Sequence, residues 1–154
     1  MKSLTHYIQE KLIIKKNKYN YFPKTREELQ DIILRRIKDE GNEVDLNNID
    51  VSKINDMSFL FEGTNFNGDI SSWDVSNVTN MNRMFAGCES FNQDISSWDV
   101  SNVRDMSFMF LKCFKFNQDI SSWDFSNSKY RYSSSDVFNN CPIENVYKPK
   151  FRRI

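Results

Sequence analysis

A twelve-residue phrase occurs three times in this chain at a constant spacing of 25 residues. It reads FNGDISSWDVSN at residues 66–77, FNQDISSWDVSN at 91–102 and FNQDISSWDFSN at 116–127. A period of about 20 to 50 residues is typical of repeat architectures, in which each unit buries its apolar face against a neighbouring copy. The periodicity therefore favours a repeat architecture over the other folds that a chain of 154 residues could adopt.

The repeat extends beyond the phrase and comprises four units. NVTNMNRMFAGC from Asn77 matches NVRDMSFMFLKC from Asn102, and an eroded first copy, VDLNNIDVSKINDMSFLF, occupies residues 44–61. The last unit is longer by three residues, with an insertion near Ser133, and ends in FNNC at residues 138–141. Deformed terminal units are typical of stacked repeats, because the end units face water instead of another unit.

Two periodicities within each unit predict its local structure. SSWDVS alternates polar and apolar residues, which predicts a short strand. VTNMNRMFAGC places apolar residues at spacings of three, four and three, which predicts one face of a short helix. We therefore expect an α/β solenoid of leucine-rich-repeat-like coils, each with one short parallel strand and one short helix.

The flanks divide the chain into three expected parts. Residues 1–41 are predicted to form an N-terminal helical cap, because TREE at residues 25–28 is a capping-box pattern and Gly41 supplies a helix stop. Residues 42–141 are predicted to form the four-unit solenoid. Residues 142–154, which are basic, are expected to be a closing segment or a tail.

The phrase FNQDISSWDVSNVRDMSFMF resembles the BspA-type leucine-rich repeats of bacterial surface and phage-encoded proteins, in their 25-residue variety. The likeness covers about residues 42–141, and the approach YFPKTREELQDIILRRI also resembles the segment that opens such arrays. The resemblance implies an interaction scaffold of bacterial or phage origin. Most members of that family have no assigned biochemical activity, and many are exported.

Charge and hydropathy narrow the possible partners. Residues 41–128 carry five Lys and Arg against thirteen Asp and Glu, whereas both ends are basic. An acidic array repels phosphate, so nucleic acid is not expected along the repeats. The sequence contains no apolar run of about 18 residues, so no membrane span is predicted. The N-terminus has no signal-peptide pattern, so we expect a cytoplasmic protein if this is the whole natural chain.

Cysteine and tryptophan each recur at one repeat position. The cysteines lack C-x-x-C spacing, and Thr64 takes their place in the first unit, which favours small buried side chains over a metal site or disulfides. Ile49 replaces the tryptophan in the first unit, which favours a core position over a recognition ladder. The residues concerned are Cys88, Cys113 and Cys141, and Trp73, Trp98 and Trp123.

Aspartate recurs in two columns, and like charges stacked in this way destabilise a ladder unless something relieves them. Capping of backbone N–H groups in Asx turns, or solvation, is the favoured interpretation. Cation binding by the columns stays open as an alternative. The columns are Asp50, Asp74, Asp99 and Asp124, and Asp45, Asp69, Asp94 and Asp119.

An enzymatic function is not expected. The only histidine, His6, lies outside the repeats, and no Ser/His/Asp or Cys/His arrangement can be built around it. The four glycines form no phosphate-binding loop. The sequence therefore predicts no catalytic residue, no metal ligand and no cofactor.

Positions that vary between units are free to serve a partner, whereas repeated positions build the scaffold. One helix-side position changes from Phe59 to Arg83 to Phe108, and the third unit is the most apolar at its variable positions. Exposed apolar patches usually mark interaction sites. The alternative is that the long last unit or the tail covers them. The candidate partner-binding residues are Phe59, Arg83, Phe108, Leu111, Phe114, Tyr130 and Tyr132.

We therefore expect a non-enzymatic protein–protein interaction scaffold, an intracellular inhibitor or adaptor that binds another protein. The alternatives are a cation-stabilised structural module and a fragment of a cell-surface, adhesin-like repeat protein. Neither the identity of the partner nor the oligomeric state follows from the sequence.

Overall fold

The computed structural model describes residues 3–124 and 134–150. The helices in these ranges are α1 (Leu4–Lys18), α2 (Arg26–Glu40), the one-turn α3 (Ser134–Phe138) and a 3₁₀ turn at Asn145–Tyr147. Only α3 lies within the repeats, in the elongated last unit. None of these helices is long and apolar enough to cross a membrane.

Within the described ranges the chain forms no β-strand, and parallel pairing is limited to isolated bridges such as the one between Tyr21 and Ile49. The predicted α/β solenoid of leucine-rich-repeat-like coils, with a parallel strand and a helix in each unit, is therefore wrong. The repeats consist of turns. The N–H of Trp73 donates to the carbonyl of Ile70 at 3.1 Å, and the next turn closes with the N–H of Val78 on the carbonyl of Val75 at 2.9 Å.

This junction of two turns explains the false strand signal. Trp73 and Val75 are buried while Asp74 between them is exposed, so apolar and polar residues alternate without any extended ladder. An alternation this short arises equally well where one β-turn ends and the next begins.

Two further turns explain the false helix signal. The turn Met81–Met84 closes at 3.2 Å and the turn Phe85–Cys88 at 2.9 Å. The third residue of each turn has positive φ, 53° at Arg83 and 72° at Gly87. Because a left-handed residue interrupts a right-handed helix, the spacing of buried residues reflects the length of the turns and not a helical period.

Backbone hydrogen bonds between equivalent segments stack these turn-built coils. The N–H groups of Phe59 and Phe61 donate to the carbonyls of Asn82 and Met84, both at 2.9 Å. The same pattern joins the second coil to the third and the third to residues 136–139. In this segment, the backbone N–H groups of each coil therefore donate to carbonyl groups of the next coil.

Aromatic rings of successive coils stack in columns through the core, and burying each such ring contributes about 1.5–3 kcal/mol. The rings in these columns are at most 5% exposed. Neighbouring centroids are 5.4, 5.6 and 5.5 Å apart in the column Phe61, Phe85, Phe110 and Phe138, and 6.4 and 6.3 Å apart in the column Trp73, Trp98 and Trp123.

The polar atoms of the core side chains bind backbone carbonyls of the preceding coil. The indole N–H of Trp73 donates to the carbonyl of Leu46 at 3.0 Å, and the thiol of Cys88 donates to the carbonyl of Phe61 at 2.9 Å. Burial raises the pKa of Cys88 to about 11. The core interpretation of the tryptophans and of the first two cysteines is confirmed, whereas Cys141 is only partly buried.

Helix α2 covers the first coil. The hydroxyl of the N-cap residue Thr25 accepts the N–H of Glu28 at 3.2 Å, which is the first half of the predicted capping box. The carboxylate of Glu28 reaches one residue further back than the box requires and accepts the N–H of Lys24 at 2.7 Å. Leu29 and Ile33 are fully buried in the core cluster of the repeats. The helix ends at Gly41, as predicted. Helix α1, by contrast, exposes several apolar residues, among them Leu4 and Leu12.

Candidate protein-binding surface

Phe59, Arg83 and Phe108 lie side by side on adjacent coils, and we term them the left-handed row. The row is in register because the N–H of Phe59 donates to the carbonyl of Asn82 and the N–H of Arg83 to the carbonyl of Ser107, both at 2.9 Å. The guanidinium carbon of Arg83 lies 5.3 Å from the centroid of the Phe108 ring. The fold thus brings three of the predicted binding residues together.

The backbone of all three residues is left-handed, with φ of 59° at Phe59, 53° at Arg83 and 57° at Phe108. Each residue is third in its turn, a position of positive φ that normally takes Gly or Asn. For other L-residues the left-handed conformation is unfavourable by about 1–2 kcal/mol. Bulky side chains are therefore unusual here, and strained backbone of this kind concentrates at functional sites.

A second left-handed position follows four residues later in each coil and provides an internal comparison. We term its members the glycine row, and their φ values are 70°, 72°, 56° and 56°. Three of the four residues are Gly or Asn, as local sterics favour. The residues of the glycine row are Gly63, Gly87, Lys112 and Asn140.

The left-handed row is exposed and mixes aromatic with cationic character. Phe59 is 41% exposed and Phe108 is 37% exposed. Nη1 of Arg83 lies 3.3 Å from Oε1 of Glu62, and each of these side chains remains about 40% accessible. An ion pair this exposed contributes only about 0–1 kcal/mol. Glu62 therefore orients Arg83 over Phe108 while leaving the cation accessible to a partner.

The other predicted residues are not part of the row. Leu111 is half-buried, and its N–H closes a turn on the carbonyl of Phe108 at 3.1 Å. Phe114 is 51% exposed on the following turn, Cys113–Phe116. Tyr130 and Tyr132 lie outside the described residues.

The last unit stacks against the third coil without burying the row. The N–H of Phe108 donates to the carbonyl of Asp136 at 2.6 Å, yet the ring of Phe108 keeps its exposure. The described part of the last unit therefore does not cover the Phe108 side chain, which stays accessible to solvent.

Helix α2 borders the row at its other end, which the sequence did not indicate. Nη1 of Arg26 donates to the carbonyl of Ser58 at 3.2 Å, and Nε2 of Gln30 donates to the carbonyl of Phe59 at 3.4 Å. Leu34, one helical turn beyond Gln30, is 45% exposed. No pattern in the α2 sequence signals contacts to backbone carbonyls so far along the chain.

The carboxylates of the aspartate columns accept hydrogen bonds from backbone N–H groups in turns. Oδ1 of Asp99 accepts both the N–H of Ser101 at 3.0 Å and its hydroxyl at 2.6 Å, and these bonds hold the pKa of Asp99 below its usual range. The Asx-turn interpretation is confirmed. The same capping of a residue two positions on occurs at Asp45, Asp50, Asp56, Asp69, Asp74, Asp94, Asp105 and Asp119.

The described part of the chain contains no group of three His, Cys, Asp or Glu side chains that could hold a metal ion. What the described surface does present is the left-handed row, with its two aromatic rings and one accessible cation.

Comparison with known proteins gives one family. Residues 32–147 match the family model described as "Mycoplasma protein of unknown function, DUF285". No curated protein and no solved structure matches the chain. The matched range contains the whole left-handed row and most of α2.

Proposed function

The chain belongs to the family described as Mycoplasma protein of unknown function, DUF285, and because that description assigns no activity, we propose a function from the surface of the chain itself. We propose that it is a non-enzymatic protein-binding repeat module, an inhibitor or adaptor that recognises another protein through the left-handed row.

One observation carries this proposal. Large side chains occupy left-handed positions at Phe59, Arg83 and Phe108, whereas Gly or Asn would serve the turn better. They are not retained to fill the core, because Phe59 and Phe108 stay well exposed. Aromatic and arginine side chains are also the residue types that dominate the binding energy of protein interfaces. Partner recognition accounts for all three features.

Two finer points belong to the same proposal. The likeness of the repeated phrase to BspA-type repeats implies an interaction scaffold and supports a binding function, although the described part of the repeats lacks the strand-and-helix coil expected with it. We place the protein inside the cell. The three free cysteines fit a reducing compartment, where thiols persist. Fractionation of native cells with an antibody to the chain tests this location, and recovery in the surface fraction would contradict it.

The binding function is tested by comparing captured proteins. The wild-type chain and the triple variant Phe59→Asn, Arg83→Asn and Phe108→Asn are immobilised and exposed to lysate of the native host. Asn tolerates left-handed backbone, so the turns of the variant are preserved. The matched control is Lys112→Asn, which makes the same change in the glycine row.

We expect the wild type and the Lys112→Asn control to retain the same protein, identified by mass spectrometry, and the triple variant to lose it. Thermal unfolding of all three chains checks that the fold is intact. A protein captured equally by the folded triple variant would show that the left-handed row is not the contact surface.

A further inference from the structure

We propose that the left-handed row recognises an acidic amphipathic α-helix that lies along the stacking direction of the coils. This inference rests on the proposed function and specifies the chemistry of the partner. Two observations carry it, the spacing of the row and the charge around it.

The spacing of the coils matches the pitch of an α-helix. Hydrogen-bonded neighbouring backbones lie about 4.7–4.9 Å apart. The phenyl rings that begin the turns following the row are 5.4 Å apart between Phe61 and Phe85 and 5.6 Å apart between Phe85 and Phe110. One helical turn rises about 5.4 Å. Successive turns of a helix laid along the stack therefore face successive coils.

An extended segment fits the row less well. Side chains on one face of a strand recur about every 6.6–6.8 Å, so two steps cover about 13 Å. Phe59 and Phe108 are two coils apart, which is about 9.5 Å at the backbone spacing and about 11 Å at the ring spacings of 5.4 and 5.6 Å. Residues i and i+7 of a helix are about 10.5 Å apart. A helix can thus place one apolar residue on each phenylalanine, whereas a strand loses register at the second coil.

Although residues 41–128 carry more acidic than basic residues, the charge at the centre of the row is that of Arg83, which favours a carboxylate between these two apolar residues. Arg83 lies between Phe59 and Phe108, and its exposed pairing with Glu62 is weak enough for a partner carboxylate to join. The complementary helix carries Asp or Glu at i+3 or i+4, facing Arg83. Helices that dock in this way are read through anchors at i, i+3 or i+4, and i+7.

The helix α1 of a second copy is not the expected occupant. Although its apolar residues are exposed, its sequence LTHYIQEKLIIKKNK holds four lysines against one glutamate. A cationic helix would be repelled by the accessible guanidinium of Arg83. The partner is therefore a different protein with an acidic helix.

Selection from a displayed library of random peptides of about 16–18 residues, long enough for four to five helical turns, tests the inference. The library is selected on the wild-type chain and depleted on the triple variant Phe59→Asn, Arg83→Asn and Phe108→Asn. Selection on the Lys112→Asn variant is the matched control. Representative peptides are then synthesised and titrated against each folded chain.

We expect the surviving peptides to share apolar residues at i and i+7 with Asp or Glu at i+3 or i+4. They should bind the triple variant at least about tenfold more weakly than the wild type and gain helical circular dichroism on binding. Row-dependent peptides with alternating, proline-rich or basic patterns would overturn the helix assignment and leave the binding function standing. If depletion on the triple variant removed every peptide that binds the wild type, both proposals would fail.

Discussion

The left-handed row and the glycine row share one backbone conformation and differ in their side chains. Both stand third in a turn that is repeated from coil to coil, with φ between 53° and 72°. The glycine row holds residues that local sterics favour, and the left-handed row holds Phe, Arg and Phe. The turn itself needs only Gly or Asn at this position. The large side chains of the left-handed row are therefore not required by the turn, and they face solvent.

The left-handed row lies directly above buried core residues, and the two layers should respond differently to substitution. Phe110 is fully buried, two residues from the exposed Phe108. We expect Phe110→Ala to lower the free energy of unfolding by about 3–5 kcal/mol, because it removes one ring from a stacked column and leaves a cavity. Phe108→Asn should lower it by less than about 1 kcal/mol, because relief of backbone strain offsets the weaker packing of the smaller side chain. Urea unfolding measures both. Equal losses of stability would mean that Phe108 is a core residue.

A second prediction concerns the requirement for glycine. Gly87 has φ of 72°, and an added Cβ would lie 3.5 Å from Cα of Gly63, an ordinary van der Waals distance. Gly87→Ala should therefore destabilise through backbone conformation alone, by about 1–2 kcal/mol. Urea unfolding checks this value. A variant as stable as the wild type would show that the left-handed turn imposes no such cost, and bulky residues in the left-handed row would then need no functional explanation.

The opposite change in the same row gives a smaller effect. Lys112 is the one residue of the glycine row that is neither Gly nor Asn, and its φ is 56°. Lys112→Gly should raise the free energy of unfolding by up to about 1 kcal/mol, because relief of the left-handed strain exceeds the entropy that glycine adds to the unfolded chain. The melting temperature should rise accordingly. A clear fall would contradict this assignment of strain.

The smallest predicted effect concerns the aspartates that cap the turns. Hydrogen bonds from Ser96 and Ser101 lower the pKa of Asp94 and Asp99 in the folded chain. Their contribution is present above the unfolded pKa, about 3.9, and is lost as the pH falls through the lower, folded pKa. The melting temperature should therefore fall slightly from pH 5 to acidic pH. The fall should be smaller in the variant Asp94→Asn with Asp99→Asn, and an identical fall would contradict a role for these two carboxylates.

The sequence correctly predicted those features that depend on one residue type recurring at the same position of each repeat or of a local motif. The buried Trp73 column, the helix cap by the Thr25 hydroxyl and the Asx turns follow from residue types whose chemistry is nearly fixed by their neighbours. The turn-built coil was missed because a short apolar–polar alternation and a three-four-three spacing arise from turns as readily as from a strand and a helix. Positive φ at Arg83 and Phe108 is not encoded by residue type, since both residues favour right-handed backbone.

The candidate surface was anticipated only in outline. Variation between repeats identified the position of Phe59, Arg83 and Phe108, but the contact of Arg83 with Phe108 and the ion pair with Glu62 depend on the stacking of coils. The border with Gln30 depends on where α2 lies against the first coil. Contacts of this kind join residues that are distant in sequence, so local patterns do not predict them.

The most direct measurement of the central claim compares affinity at the two rows. The dissociation constant for the captured partner, or for a row-dependent peptide, is measured with the wild type, Phe108→Asn and Lys112→Asn, all shown to be folded. Loss of an aromatic anchor should weaken binding by about tenfold or more in Phe108→Asn, and Lys112→Asn should bind as the wild type does. Unchanged affinity in Phe108→Asn would contradict the claim that bulky left-handed residues are retained for recognition.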